Sequence, residues 1–266
     1  MILFPPAKIN LGLSVLRKRE DGFHEIETCM IPIPLTDVLE ILPSDDFKFH
    51  QTGLTINGRP NSNLCVKAFQ LMRKLYNIPN VYIHLLKVIP MGAGLGGGSS
   101  DAAYVIKGLN ELFELKLSKI KMEEHASELG SDCPFFISND AQIARGRGEK
   151  LSPIDFSLKG KFLKIINPEI HIGTAEAYSN VSFDSERNKI EEIISLPIRE
   201  WKEKLKNDFE ASIFPLHTAI EKVKESLYAE GAIYSSMSGS GSTVFGLFEN
   251  EPVSSSQYDF TRIVVL

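Results

Sequence analysis

The stretch of this chain best suited to chemistry is PMGAGLGGGSSDAA, Pro90–Ala103, in which five residues are glycine and two are serine. A β-rich run precedes it, and helical periodicity follows it. The N-terminus of a helix offers free backbone N–H groups and the positive end of its dipole, which attract anions. Glycines let the backbone adopt positive φ and approach phosphate oxygens closely. We therefore predict a loop that binds an anion such as a phosphate group, made of Pro90, Met91, Gly92, Ala93, Gly94, Leu95, Gly96, Gly97, Gly98, Ser99 and Ser100.

Two common glycine motifs fit this loop less well. A Walker A loop needs a lysine before its serine, and Gly98–Ser100 reads Gly-Ser-Ser. Gly92, Gly94 and Gly97 fit the dinucleotide pattern G-x-G-x-x-G, but the residues that follow are helical where that pattern requires a strand ending in an acidic residue. A glycine-rich turn without a ligand stays open. If the loop binds ATP, positive charge must come from elsewhere in the chain.

Composition and charge narrow the function classes. The 266-residue chain has a net charge of −5, 43% hydrophobic and 24% charged residues, which is ordinary for a globular protein and argues against general nucleic-acid binding. Cys29, Cys65 and Cys133 match no metal motif or disulfide framework. We expect reduced thiols, no signal peptide, no membrane-spanning segment and a cytoplasmic location.

Two further segments join the glycine loop to form an ordered set of three motifs. PAKINLGL at Pro6–Leu13, the loop itself, and MSGSGSTVFGLF at Met237–Phe248 resemble the motifs of the GHMP small-molecule kinases. The resemblance spans nearly the whole chain, and three ordered motifs are more specific than one glycine loop. It implies an enzyme that transfers the γ-phosphoryl group of ATP to a hydroxyl group of a small molecule.

The resemblance implies two catalytic residues. Asp132, in LGSDCPFF, matches the catalytic aspartate of the family, where a carboxylate accepts the proton of the attacking hydroxyl. Lys8 matches the catalytic lysine, and a cation beside Asp132 would keep that carboxylate ionised and stabilise charge on the phosphoryl group. Asn10 shares the Lys8 side of its strand and is expected to contact the acceptor. The alternatives are a turn residue for Asp132 and an exposed strand residue for Lys8.

Four further stretches narrow the expected acceptor. REDGFHEIET, LGSDCPFF, ARGRGEKL and NDFE resemble the GHMP kinases whose acceptor is the 2-hydroxyl of a cytidine diphosphate-linked methylerythritol. Phe23 and His24 match the cytidine-recognition positions, although the family usually has tyrosine where Phe23 stands. An aromatic ring stacks on cytosine in either case. The alternative for this stretch is a hairpin turn with a buried phenylalanine.

The second half of the chain adds acceptor contacts that rest on a looser match. In HIGTAEAY, Tyr178 stands where the family places a second stacking aromatic, and Thr174 is a nearby polar contact. The alternative for Tyr178 is a helix core residue. Gly239 and Ser240, in the third motif, either contact the acceptor and phosphates or serve packing alone.

The resemblance also sets expectations for cofactors and partners. ATP is the donor, and Mg²⁺ is carried mainly by the ATP phosphates and waters, with Ser99 or Ser100 assisting and no metal-binding residue assigned. We expect a monomer or weak homodimer that binds neither nucleic acid nor membranes. The alternatives are another GHMP kinase, acting on homoserine, mevalonate or a sugar, a nucleotide-binding module without catalysis and, more distantly, a Rossmann-type oxidoreductase.

The local patterns predict the elements that hold these residues. Strands are expected at INLGLSVL, EIETCMIPI, DVLEIL, FKFHQ, VYIHLLKVI, CPFFI, AQIARGRGEKL, KFLKIINP, AIYSS, TVFGLF and TRIVVL. Helices are expected from Leu64, capped by Ser62 or Asn63, from Ser99 or Ser100, and over 118–129, 190–206 and 213–227.

These elements mix without regular βαβ alternation, which favours the α+β class. The resemblance implies a two-lobed GHMP architecture, with an N-terminal mixed sheet like domain 2 of ribosomal protein S5 and a C-terminal ferredoxin-like sandwich. We expect a catalytic ATP-binding lobe at 1–155 and an acceptor-binding lobe at 156–266.

Overall fold

The computed structural model describes residues 1–55, 62–179, 181, 183, 189–254 and 256–266. Its strands are β1 (Ile2–Leu3), β2 (Pro6–Lys18), β3 (His24–Thr36), β4 (Val38–Pro43), β5 (Lys48–Gly53), β6 (Val81–Lys87), β7 (Gln142–Gly146), β8 (Lys150–Pro153), β9 (Phe162–Asn167), β10 (Tyr234–Met237), β11 (Val244–Phe248) and β12 (Phe260–Val265). Its helices are α1 (Leu64–Tyr76), α2 (Gly97–Leu112), α3 (Lys119–Ser127), α4 (Phe135–Ser138), α5 (Thr174–Tyr178), α6 (Ile190–Ile194), α7 (Trp201–Lys204), α8 (Phe209–Ile213) and α9 (Thr218–Ala229).

These elements form two compact units that interleave along the chain. The first unit contains residues 1–7, 35–91 and 96–140, and the second contains 8–34, 92–95 and 141–266. The predicted lobes, in contrast, are consecutive stretches of sequence, and their boundary after residue 155 stays a prediction.

The first unit contains a sheet of order β1-β4-β6-β5, in which only the β5–β6 pair is parallel. Successive β6 residues alternate, with Val81, Ile83 and Leu85 buried. The next residue on that buried side is Lys87, a charged residue where an apolar one is expected. This departure from the pattern lies just before the glycine loop.

The second unit contains two further sheets, of order β2-β3-β7-β8 and β10-β11-β9-β12. Helix α9 packs against β10 and β11 and buries Ile220, Val223 and Leu227 at helical spacing. Beyond these sheets, backbone hydrogen bonds join Leu13 of β2 to the chain at 206–208.

Most predicted elements are confirmed. All the predicted strands except CPFFI appear as β2–β12. Helix α1 begins at Leu64, and the Asn63 side chain accepts a hydrogen bond from Cys65 N. Helix α3 begins after its Ser118 cap. No helix in the described ranges is long and apolar enough to cross a membrane.

Four predictions of element type or extent are wrong. CPFFI forms helix α4, because a short buried apolar run is compatible with either structure and Pro134 has helical φ. Pro197 divides the helix expected over 190–206 into α6 and α7, and Pro215 precedes a separate α9. Helix α2 begins at Gly97, not at Ser99 or Ser100, because Gly96 is the N-cap residue with φ 70°.

Gly53 offers a test of backbone packing at the end of β5. Its φ is +80°, and a Cβ there would lie 2.3 Å from the carbonyl oxygen of Lys87. Gly160 has φ +83° with no described atom within 4 Å of such a Cβ. We expect Gly160→Ala to lower the free energy of unfolding by about 1–2 kcal/mol. Gly53→Ala should lower it by about 2–5 kcal/mol, because the clash adds to the same backbone cost. Urea denaturation measures both, and equal losses would contradict the close approach at Gly53.

Candidate active site

Lys8 of β2 is 3% exposed and is fixed within the second unit. Its Nζ donates to Asn10 Oδ1 at 2.5 Å and to the carbonyl oxygen of Gly94 at 3.1 Å. Asn10 Nδ2 in turn donates to Thr28 Oγ1 at 3.0 Å on the neighbouring strand. The backbone N–H of Lys8 also donates to the carbonyl of Leu95, so β2 holds the 92–95 part of the glycine loop directly. A wholly exposed Lys8 is therefore wrong.

Ser238 joins the third motif to the other two. Its Oγ donates to the Gly94 carbonyl at 2.8 Å and accepts from the backbone N–H of Asn10 at 3.3 Å. A Cβ on Gly239 would lie 3.2 Å from Asn10 Oδ1. Segments of the three predicted motifs, far apart in sequence, thus meet within the second unit. Gly239 and Ser240 were predicted from the sequence, whereas Ser238 was missed although it lies in the same motif.

Position 94 requires glycine both because its φ is positive and because another backbone segment lies too close for a side chain. Gly94 has φ +77°, and a Cβ there would lie 1.9 Å from the carbonyl oxygen of Ser238. Gly92 has φ +62°, but its Cβ would meet only His171, at 3.7 Å. The loop therefore has one glycine at a close backbone contact and one at a position with more space.

We expect Gly94→Ala to weaken ATP binding at least about tenfold more than Gly92→Ala does. Both variants place alanine at positive φ, but only Gly94→Ala must also separate the loop from the Ser238 carbonyl. Titration with a fluorescent ATP analogue measures the affinity of each variant. Equal affinities would show that the Gly94–Ser238 contact does not shape the loop.

In the first unit, the loop continues into the first turn of α2. The N–H groups of this first turn have no intrahelical acceptors and can bind an anion. Ser100 Oγ is buried and has no hydrogen-bond partner among the described residues. A phosphate oxygen or its Mg²⁺ would satisfy this hydroxyl, so Ser100 fits the predicted loop.

A buried ionic cluster underlies this turn. Lys87 Nζ donates to carboxyl oxygens of Asp37 and Asp101, the latter at 2.9 Å. Asp37 Oδ1 also accepts the backbone N–H groups of Val88 and Ile89, at 2.6 and 2.9 Å. The cluster therefore fixes both the chain that enters the loop and the helix that leaves it.

Lys87 was not predicted from the sequence as part of this site. A Cβ on Gly97 would lie 2.8 Å from Lys87 Nζ, so the ammonium group lies directly against the first residue of α2. Burial raises the pKa of Asp101 to about 8, Lys87 opposes that rise, and Asp37 adds to it. The available signal was a lysine on the apolar face of β6 and an aspartate at a buried helix position.

Asp101 should make stability depend on pH. The folded protein keeps the proton up to about pH 8, whereas the unfolded chain releases it near the ordinary aspartate pKa of 3.8. Stability is therefore lost as pH rises through this window. Between pH 5 and 8, the free energy of unfolding should fall less in Asp101→Asn than in the wild type. The slopes of the two proteins should differ by at most about 1.4 kcal/mol per pH unit. Urea denaturation at both pH values tests this, with the exposed Asp46→Asn as control. An unchanged pH dependence in Asp101→Asn would contradict a retained proton.

Asp132 lies between α3 and α4 in the first unit and is half-buried. The next residue, Cys133, is buried. Burial raises the pKa of Cys133 to about 11, so its thiol stays protonated. Helix α4, which follows Asp132, packs against α2. The expected convergence of Asp132 with Lys8 stays a prediction.

Two of the aromatic side chains predicted to contact cytidine lie together in the second unit. The rings of His24 and Tyr178 stack with centroids 4.3 Å apart and an interplanar angle of 13°. Phe183, which was not predicted from the sequence, also stacks with His24, with centroids 5.9 Å apart. Burial, with a smaller effect of Lys18, lowers the pKa of His24, which favours the neutral ring. Two aromatic positions predicted from distant segments are therefore brought together.

Another predicted acceptor residue, Phe23, contacts a cation. Phe23 is 54% exposed, and the guanidinium of Arg147 lies 4.8 Å from its ring centroid, so a buried phenylalanine in this turn is wrong. Ser240 is half-buried in the third motif. Thr174 begins α5, but its side chain lies outside the described part of the structure. Across the described ranges, no group of three or more His, Cys, Asp or Glu residues is arranged for a metal ion.

In the second unit, Lys8 and Ser238 of the third motif hold the glycine loop at Gly94. In the first unit, the loop leads into the N-terminus of α2, whose free N–H groups suit a phosphate. The family model for the GHMP kinases N terminal domain matches residues 63–140, and that for the GHMP kinases C terminal matches residues 190–259. The chain belongs to the GHMP kinases. The predicted α+β GHMP fold, with N- and C-terminal domains, is confirmed.

Individual relatives are similar along most of the chain. A 4-diphosphocytidyl-2-C-methyl-D-erythritol kinase of Parabacteroides distasonis is 50% identical over 249 residues, which cover 94% of this chain and 92% of the relative. The kinase of the same name from Cytophaga hutchinsonii is 51% identical over 253 residues, with 95% and 94% coverage. A crystal structure of 4-(cytidine 5'-diphospho)-2C-methyl-D-erythritol kinase has a TM-score of 0.80 and 34% identity, covering 93% of this chain and 90% of that one.

Proposed function

We propose that this chain transfers the γ-phosphoryl group of ATP to the 2-hydroxyl of 4-diphosphocytidyl-2-C-methyl-D-erythritol. The products are the 2-phosphate and ADP, and the reaction belongs to non-mevalonate isoprenoid precursor synthesis. The acceptor assignment rests on the stack of His24 and Tyr178, in a chain that belongs to the GHMP kinases. A neutral His24 offers one ring nitrogen that donates and one that accepts, which suits the polar edge of a cytosine base.

Lys8 and Asp132 have distinct roles in this proposal. The Asp132 carboxylate takes the proton of the 2-hydroxyl as its oxygen attacks the γ-phosphorus and ADP leaves. The Lys8 ammonium stabilises the negative charge on the transferring phosphoryl group. Asn10 orients Lys8 through their 2.5 Å hydrogen bond.

The loop supplies the donor site. Backbone N–H groups at the start of α2 and the Ser100 hydroxyl bind the ATP phosphates, whose bound Mg²⁺ neutralises part of their charge. Phe23 and Thr174 complete the acceptor contacts, and Gly239 and Ser240 contribute the third motif. We infer a cytoplasmic enzyme that acts as a monomer or weak homodimer, without nucleic acid or membrane partners.

A coupled assay of ADP release tests this function. The wild type should turn over the cytidyl-methylerythritol acceptor and not homoserine, mevalonate or galactose. Lys8→Met and Asp132→Asn should each lower kcat by about 10²–10⁴. Lys74→Met and Asp140→Asn, at exposed positions, are the matched controls and should keep wild-type rates.

The possible failures of this assay are separable. Turnover of one of the alternative acceptors alone would reassign the substrate within the family. ATP binding without turnover of any acceptor would favour a non-catalytic nucleotide-binding module. Wild-type rates from folded Lys8→Met and Asp132→Asn would remove both catalytic assignments while leaving the substrate assignment intact.

A further inference from the structure

We propose that Asn207, in the stretch NDFE, is a positioning residue for phosphoryl transfer, acting through the glycine turn of the third motif. Its kinetic consequence rests on the proposed function. Asn207 is 2% exposed, and its side-chain hydrogen bonds go to Met237, Gly239 and Phe209. Its effect on the site therefore passes through the turn at 237–241.

The Asn207 side chain binds two carbonyls at the start of this turn. Its Nδ2 donates to the carbonyls of Met237 and Gly239, each at 2.8 Å. Its Oδ1 accepts the backbone N–H of Phe209 at 3.1 Å, at the start of α8. Both amide hydrogens and the amide oxygen are thus used, and an amide side chain fits where neither a carboxylate nor an alkyl group does.

The backbone around Asn207 is anchored to the strand that carries Lys8. Leu13 N donates to Lys206 O, and Asp208 N donates to Leu13 O, both at 2.9 Å. Asp208 Oδ2 also accepts from Val15 N at 2.8 Å. Asn207 therefore links a fixed point on β2 to the glycine turn and sets the spacing of the first and third motifs.

Ser238, in the glycine turn, connects this spacing to the site. Ser238 lies between the two residues whose carbonyls Asn207 binds, and its hydroxyl contacts both Gly94 O and Asn10 N. The Gly94 carbonyl is also an acceptor for Lys8 Nζ. Displacement of Ser238 would therefore change the position of the Lys8 acceptors without removing any group that touches substrate.

Asn207→Asp tests this chain of contacts, because it keeps an acceptor for Phe209 N but places an oxygen against two carbonyls. We expect kcat to fall at least about tenfold, with a smaller change in KM for either substrate. Tyr234→Phe is the matched control: it removes the buried hydrogen bond from Tyr234 Oη to Leu205 O, at 3.0 Å, between the same two segments. Tyr234→Phe should have a kcat within about twofold of the wild-type value, although its Tm falls about as much as that of Asn207→Asp. Equal kcat values in Asn207→Asp and Tyr234→Phe would overturn the proposal. If Asn207→Asp does not fold, Asn207→Ala takes its place in the same comparison.

Two further measurements separate this proposal from a structural role and from the proposed function. In a double-mutant cycle, Ser238→Ala and Asn207→Asp should together lower kcat by less than the product of their single effects, whereas additive effects would overturn a route through Ser238. Amide hydrogen exchange without substrate should be at least about tenfold faster over 237–241 in Asn207→Asp but not in Tyr234→Phe. That readout holds even if the acceptor proves to be a different molecule, and unchanged exchange would refute positioning of the turn.

Discussion

The carbonyl oxygen of Gly94 is the acceptor on which the second unit's part of the site depends. It receives the Lys8 ammonium and the Ser238 hydroxyl, at 3.1 and 2.8 Å. A carbonyl has two lone pairs, so one backbone atom of a glycine loop can hold one group from each of two distant motifs. A side chain at position 94 would collide with Ser238, which explains why the loop needs glycine at this point. The arrangement fixes a buried lysine in position before any substrate binds.

The sequence predicted helices and strands well where the hydrophobic periodicity and the length of a segment indicate the same secondary structure. Helix α1 has both an apolar stripe and an Asn63 cap, and β6 alternates clearly, so both were found. Prediction failed where a proline interrupts an otherwise periodic segment, as at Pro197, and where a short run of three buried residues is compatible with strand or helix, as in α4. In the α4 segment, tertiary packing decides among local structures of similar energy. Pro197, in contrast, is a local helix breaker.

The site was predictable mainly through the resemblance of its motifs. Lys8, His24 and Tyr178 occur in segments that family-like patterns single out, whereas spacing alone favoured ordinary strand, turn and helix residues. Ser238, Lys87 and Asn207 were missed because their importance lies in contacts with carbonyls, carboxylates or backbone N–H groups far away in sequence. No single segment contains the information for such contacts. The lysine on the apolar face of β6 and the aspartate at a buried position of α2 were local anomalies that pointed to the Lys87 cluster.

The ionic cluster beneath α2 also constrains how this protein can change during evolution. Loss of the Lys87 ammonium alone would leave the Asp37 and Asp101 carboxyl groups without their shared cation and away from water, and loss of one aspartate would weaken the compensation of a buried cation. Variants with one substitution are therefore expected to be less stable than either the intact triad or a fully apolar replacement. The three positions should covary as a group, and transplanting the glycine loop into another scaffold requires grafting all three.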